Sequence, residues 1–587
     1  MTDLGRSRTA SFHSRSSRTG SPQLHQTLSG RHMDDNTVYH DRVNHATHQD
    51  QHNTNQDSTE VEKDSNAHDD GEETSLPSDS SDDETVDEVR DGIRDERDVE
   101  AGPKSLEKKA TSKSDKDRDP NLVTWDGPND PSNPKNWTIK KKWAATFVVS
   151  SFTFITPLSS SMVAPSLPSI AKDFGITNEV ESQLVLSIFV LALAVGPLFM
   201  GPLSEIYGRV PVLQLSNLFY LIWNLVCGFA QNKGEMIAFR FLSGLGGSAP
   251  LAIGGGILSD CWHPEQRGKS ISIYSLMPLL GPALGPLIGG FITEKTTWRW
   301  SFWAVSIADA FIQCAGLIFL KETYAPKLLK LKADRLKKET GNQAFHTEYD
   351  VPGRTIGSLL RTSLVRPFRL LGTQPIIQAL AVYQAYLYGI MYLVLSTFPT
   401  LWENRYHESV GNGGLNYIAI GLGFFTGTQV CAPLNDRIYR RLRQRNNGVG
   451  RPEFRVPLMF VGAAFMPIGL FWYGWSAQAR THWIVPDIGI FVFSAGIIVG
   501  FQCTQTYVVD SYTRFAASAV GATTVLRCIA GFGFPLFAPY MYAALDYGWG
   551  NSLLAFIALG LGVPAPFMLW KYGASLRAKS TFAAGGG

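Results

Sequence analysis

The first part of the chain lacks what a folded core needs. Residues 1 to about 120 hold two aromatic residues, Phe12 and Tyr39. The stretches GRSRTASFHSRSSRTGSPQ and SDSSDDETVDEVRDGIRDERDVE are rich in Ser and Arg and in acids, respectively. Such segments cannot bury enough apolar surface to offset chain entropy, so this arm is predicted to be disordered. Eight of the twelve histidines fall in it at irregular spacing, which fits a solvated polar tract better than a metal site. Paired cysteine spacing is also lacking. Cys227, Cys261, Cys314, Cys431, Cys503 and Cys528 lie within apolar runs or at the end of one, and read as small packing residues. The polar N-terminus has no signal peptide, so the first apolar run is expected to serve as an internal insertion signal. HExxH, GxSxG and Walker patterns are missing, as are clustered histidines in the apolar runs. These absences argue against an enzyme and leave no metal or cofactor to assign. Without a nucleotide site, any pumping has to draw on an ion gradient. Nothing in the chain suggests a nucleic-acid partner.

Long apolar runs fill the rest. Twelve can be marked, at 144–165, 183–204, 212–230, 236–258, 270–292, 301–320, 375–399, 415–435, 456–475, 483–505, 517–541 and 549–571. About 20 apolar residues are needed to cross hydrocarbon as a helix, and backbone groups in lipid must be satisfied internally. The expected fold is therefore an all-α membrane protein of twelve helices. Its parts are an arm (1–120), a first six-helix half (121–320), a linker (321–374), a second half (375–573) and a tail (574–587). Alternate connecting segments carry 29 Lys/Arg on one side and 6 on the other. By the positive-inside rule both termini and the linker face the cytoplasm. The Asn136-Trp137-Thr138 sequon should then stay unmodified. PLSEIYGR (202–209) follows run two and PLNDRIYR (433–440) follows run eight, with Pro, Leu, an acid and Arg in register. Two equivalent halves are the pattern of a repeat-built transporter, with its substrate site between them near mid-membrane.

Several residues stand out chemically. Glu205 and Arg209 lie four apart at a helix end, and so do Asp436 and Arg440. Such groups can pair with each other or with neighbouring spans. Gly201 beside them is expected to let two helices approach closely. Arg240, early in run four, is expensive in lipid unless it serves a function or snorkels to water. Gly244, Ser248, Ala252 and Gly256 continue its stripe as a small-residue face, which argues against lipid exposure. Asp309 is the acid clearly inside the membrane, and Asp510 closes run ten. Either can titrate, and Asp309 can equally be a structural group. Tyr383, Tyr386, Tyr388 and Tyr392 do not share one helical face, so two or three at most line a cavity; packing is the alternative. Arg527 is a second buried cation, able to hold an acid or a carbonyl. In LLGPALGPLIGGFI, Gly281, Gly285 and Gly289 form one stripe, and Pro278, Pro282, Pro286 and Gly290 the next. Glycines so spaced give a groove for a neighbouring helix, and prolines bend the helix that carries them.

With these motifs in order, the chain resembles the major facilitator superfamily, and within it the twelve-spanner drug:proton antiporters of fungi. NPKNW (133–137), GPLSEIYGRVPVL (201–213), RFLSGLGGS (240–248), GPALGPLIGG (281–290), WRWSFW (298–303) and DSYTRFAASAVGATTVLR (510–527) carry the resemblance over about residues 121–580. It implies a gating role for Gly201, Glu205, Gly208 and Arg209, with Asp436 and Arg440 as repeat counterparts. Family members usually have Asp where this chain has Glu205. It also implies a proton-coupling role for Arg240, although the first span lacks the acid found in some relatives. Gly281, Pro282, Gly285, Pro286, Gly289 and Gly290 resemble the antiporter motif, and Arg527 falls near the central cavity. The leading expectation is a plasma-membrane multidrug efflux pump that exchanges toxic compounds, such as antifungal drugs and other xenobiotics, for protons. A dedicated exporter of one class, such as a secondary metabolite or polyamines, is the alternative, and a non-transporting sensor is a rival from another class. Ser11, Ser80 and Ser81 sit in contexts that suit kinases acting on the arm.

Overall fold

The structure is a computed structural model that describes residues 119–263, 266, 268–350 and 356–580. The arm before Asp119, with its serines and most of the histidines, lies outside the described residues. Helices long and apolar enough to span a bilayer run over Ile139–Asp173, Glu179–Tyr207, Arg209–Cys227, Lys233–Cys261, Ser270–Lys295 and Arg299–Phe319. After the linker come Pro375–Asn404, Val410–Arg445, Pro452–Gln478, Ile484–Ser511 and Ala516–Ala578. The last stretch has 63 residues, about three times what one crossing needs. Asp546 divides it: its φ of 55° and ψ of −178° are not helical. Spans eleven and twelve therefore join at that residue, and the architecture is six helices, a linker and six more.

Local chemistry explains where the helices begin and end. The Asn178 side chain accepts from the Val180 N–H at 2.9 Å and starts span two. Asn232 does the same for Glu235 at 2.9 Å and starts span four. Gly208 separates spans two and three at φ 105°, a conformation that side chains disfavour, and the Glu322 carboxylate fills the space a side chain would need.

Buried apolar residues form one large cluster in the second half and two in the first, one of which takes in Tyr392 and Cys528 of the second half. One cluster is built from spans seven to twelve around Phe398, Trp402, Tyr417 and Tyr473. The first half has clusters around Phe189, Tyr220 and Phe302 and around Val149, Phe152 and Ile253. Five cysteines are buried packing residues, but Cys314 is exposed, because it sits on the outward side of span six. The linker forms two helices, Ala325–Thr340 and Ile356–Thr373. A parallel two-strand ladder pairs β1 (Leu122–Val123) with β2 (His346–Thr347). It ties the chain just before span one to the linker and marks the linker face of the molecule.

Candidate functional site between the two halves

Arg240 is fully enclosed, which settles the snorkelling alternative against it. Its Nη1 and Nη2 donate to the carbonyls of Ser159 and Ser160 in span one at 3.2 and 3.3 Å. Its Nε donates to the Val185 carbonyl of span two at 3.3 Å. The guanidinium also stands over the Phe189 ring at 4.5 Å. Gly244, one turn on, lets span four close on span two: a β-carbon there would lie 2.7 Å from the Phe189 carbonyl oxygen. Among the described residues no carboxylate pairs with Arg240.

Asp309 is equally buried, but it faces span three. The Asn217 Nδ2 donates to both its oxygens, at 3.1 and 3.0 Å, and to Gln313 Oε1 at 2.9 Å. A second polar link runs from Ser159 Oγ to Asn224 and from Asn224 to Ser306, at 3.0 and 2.9 Å. The fold therefore places Arg240 and Asp309 in one half without joining them. Asp510 lies elsewhere, on the linker face.

The glycine stripe of span five meets backbone. A β-carbon on Gly281 would lie 2.7 Å from the Leu158 nitrogen, and one on Gly285 2.8 Å from the Leu158 carbonyl oxygen. Gly289 abuts the Met162 carbonyl. Ser161 Oγ adds a hydrogen bond to the Gly281 carbonyl at 3.2 Å. The neighbouring stripe faces the other half. A β-carbon on Gly290 would lie 2.7 Å from the Val410 carbonyl oxygen, and one on Gly414 3.2 Å from the Pro286 carbonyl oxygen. Span five is thus clasped by span one on one side and by the start of span eight on the other.

Bonds between the halves gather on the face opposite the linker. Glu294 Oε2 accepts from the Gly411 N–H at 2.8 Å. Tyr540 donates to Asn178 Oδ1 at 3.3 Å. Tyr392 of span seven meets Ser160 of span one, hydroxyl to hydroxyl, at 3.2 Å. On the linker face the ion pairs stay inside each half. Arg209 Nε stands 3.5 Å from Asp260 Oδ2 at the end of span four, and its Nη1 donates to Ser204 at 2.8 Å. Glu205 is exposed, so of the two partners open to Arg209 the neighbouring span is the one used. The second half repeats the arrangement: Arg455, at the start of span nine, bonds Asp510 at 2.9 Å and Asp436 at 2.6 Å. Among the described residues, Arg440 reaches the Asp436 backbone carbonyl, at 3.4 Å, and no carboxylate.

Two expectations need correction. Gly201 has open space where a β-carbon would go, so it makes no close helix contact here; Gly196, against Ser248 and the Leu245 carbonyl, makes it instead. Tyr383 and Tyr386 do not face the space between the halves. Both are packed in the second-half core, Tyr383 against Gly500 and Tyr386 with its hydroxyl 3.7 Å from Met466 Sδ. The tyrosines that face the first half are Tyr388 and Tyr392, whose rings are 4.9 Å apart. Arg527 joins them, its guanidinium 5.4 Å from the Tyr388 ring and 5.0 Å from Phe501. At helical pitch Tyr383 and Tyr386 fall on one side of span seven and Tyr388 and Tyr392 on the other, but that spacing does not say which pair faces the first half. Asp260 and Arg455 carried no motif signal that would have identified them as partners.

Comparison with known proteins agrees with this architecture. The family model described as Major Facilitator Superfamily matches residues 149–535. The chain is 54% identical over 494 residues to efflux pump vrtL of Penicillium aethiopicum, covering 84% of this chain and 97% of that one. It is 44% identical to efflux pump radE of Floropilus chiversii, covering 81% and 88% of the two chains. It is 42% identical to MFS-type transporter penM of Penicillium rubens, covering 83% and 94%. The fold is similar to the partially occluded inward-open xylose transporter XylE of E. coli, with TM-score 0.53, 16% identity, and 74% and 98% of the chains covered. It is also similar to a bacterial homologue of the lysosomal transporter Spinster in an inward-facing conformation, with TM-score 0.56, 14% identity, and 74% and 99% covered.

Proposed function

The chain belongs to the Major Facilitator Superfamily, and we propose that it exports small, structurally varied toxic compounds across the plasma membrane in exchange for protons. The observation that carries export is the 54% identity, over 84% of the chain, to a protein named an efflux pump. The internal geometry supports a cycle of alternating access. With the linker in the cytoplasm, as loop charge argues, the face opposite it is external. Glu294, Tyr392 and Tyr540 then join the halves toward the outside. We read these contacts as the externally closed state of that cycle. Reversal opens the external contacts and closes the cytoplasmic ends, where Arg209 with Asp260 and Arg455 with Asp436 and Asp510 keep each half rigid. Glu205 and Arg440 line that cytoplasmic edge.

Proton coupling is assigned to the first half. Asp309 meets an amide rather than a cation, whereas Asp510 is held by Arg455. A buried carboxylate without a counter-charge is costly ionised, so it is the better proton carrier. Arg240 transmits the change by gripping span one. Arg527, Tyr388 and Tyr392 form the cationic and aromatic wall offered to a flat, partly apolar substrate. The experiment is expression in a host lacking its own pumps, a growth screen against a compound panel, then efflux of any protected compound from vesicles with and without a pH gradient. Protection against several unrelated compounds, abolished when the gradient is collapsed, is expected. Protection against a single chemical class replaces the multidrug reading, and efflux indifferent to the gradient overturns the coupling.

A further inference from the structure

The linker helix Ile356–Thr373 has one face in the protein and another outside it. Leu370 is fully buried and Leu371 packs on the second-half core. Pro367 approaches Gly521 of span eleven, and the Arg366 guanidinium lies 5.4 Å from the Phe515 ring. The helix also touches span two, so it bridges the halves on the linker face. Its other side carries Arg361, Val365, Phe368 and Arg369, which at helical pitch fall within an arc of about 100°. Val365 is 52% exposed and Phe368 50%. Both arginines are exposed. One extended residue, Gln374 at φ −109° and ψ 103°, separates this helix from span seven. The stripe therefore lies where the bilayer begins. The other linker helix adds exposed Lys330, Arg335 and Lys338.

The occupant of this face has to take two large apolar side chains together with the exposed Arg361 and the exposed side of Arg369, which already has a partner within the protein. Residues 79–100 of the arm offer eleven acids but only four aliphatic residues and no aromatic, which suits the arginines and leaves Phe368 and Val365 wet. A lipid surface answers both demands, with hydrocarbon for the apolar pair and headgroup anions for the guanidiniums. We propose that the Arg361–Val365–Phe368–Arg369 face docks on anionic phospholipid in the leaflet on the linker side. The contact holds the bridging helix, and with it spans two and eleven, at the membrane surface. Lipid charge thereby acts on the contact between the halves.

The test uses the full chain carrying Cys314→Ser, since the other cysteines are buried. A nitroxide is placed on Phe368→Cys and, in a second protein, on Val365→Cys. Accessibility to oxygen and to a nickel chelate is read in phosphatidylcholine vesicles with and without phosphatidylserine. With phosphatidylserine, the oxygen-to-nickel ratio is expected to rise several-fold at both positions. Arg361→Gln with Arg369→Gln is expected to return it to the phosphatidylcholine value. Equal ratios in the two vesicles overturn the proposal. So does a label that is already shielded in detergent and becomes exposed when residues 1–115 are removed, because that outcome assigns the face to the arm.

Discussion

Arg240 and Tyr392 sit in different halves of the molecule and meet on the same residue: Arg240 donates to the Ser160 carbonyl at 3.3 Å, and Tyr392 shares a hydrogen bond with the Ser160 hydroxyl at 3.2 Å. The buried cation is thus one residue away from the contact that closes the halves. Tyr392→Phe removes that one bond, worth about 0.5–1.5 kcal/mol net. The closed far face should lose roughly two- to tenfold in population relative to the open one. Spin labels at Lys172 and His407, both exposed on that face, should report more of the longer distance. An unchanged distance distribution would mean that this bond does not hold the gate.

Arg240→Ala takes away three donors at once and cuts the links from span four to the Ser159, Ser160 and Val185 carbonyls. Gradient-driven export should disappear while surface amount stays near normal. Arg240→Lys keeps the charge but loses the planar fork that reaches two carbonyls together, so a fraction of activity should survive. Export by Arg240→Ala equal to that of the unaltered protein, measured at matched surface amounts, would remove Arg240 from coupling.

Asp309→Asn tests the proton carrier. The amide retains an acceptor for Asn217 and cannot change charge. Substrate should still exchange between the two sides of a vesicle when concentrations are equal and no gradient is applied. Accumulation against a concentration difference, driven by pH, should fail. If the variant still concentrates substrate, Asp309 is a structural acceptor between spans three and six.

These residues differ in how far the sequence alone reveals them. The Gly281–Gly285–Gly289 stripe was legible because a small-residue period is local, and backbone contact follows from it. The depth of Arg240 and Asp309 was legible from their place in apolar runs. Their partners were not. Ser159 and Val185 act through carbonyls, which every residue has, and Asn217 lies 92 residues from Asp309. The tyrosines of span seven show a related limit. A helical wheel says that four cannot share a face, but only the packing of neighbouring spans says that Tyr388 and Tyr392 face the first half. The division of the last stretch was legible because it holds two apolar runs, 517–541 and 549–571, each long enough to cross, on either side of Asp546.

Arg455 provides a test of the linker-face ion pairs. Its two acids differ in exposure, with the Asp436 side chain 62% exposed and that of Asp510 32%. Water already solvates Asp436, so Asp436→Asn should cost less than about 1 kcal/mol. Asp510→Asn removes the less solvated partner and should cost more, with a clearly lower thermal midpoint for the purified protein. The reverse order of midpoints would show that Asp436 is the anchor.

Gly285 and Gly290 occupy two sides of the same helix and should fail in different ways. A β-carbon at Gly285 would stand 2.8 Å from the Leu158 carbonyl oxygen and 3.1 Å from the Met162 nitrogen. Both atoms are backbone of span one, so neither can rotate aside. Overpacking of this kind typically costs about 1–3 kcal/mol, comparable to the few kcal/mol between transport states. Gly285→Ala should therefore transport weakly, and Gly285→Leu should reach the membrane without exporting. Leu284, already 36% exposed, should accept another large apolar residue with mild effect. Gly290 instead presses on Val410 of the other half, at 2.7 Å from the would-be β-carbon to the carbonyl oxygen. Gly290→Ala should push the halves apart on the far face and populate the state open there, visible in the same spin-label distances as Tyr392→Phe. Compound accumulation in cells with matched surface amounts separates the two sites. Normal efflux by Gly285→Leu would mean that spans one and five do not move as a close-packed pair, and the glycines would then need another explanation.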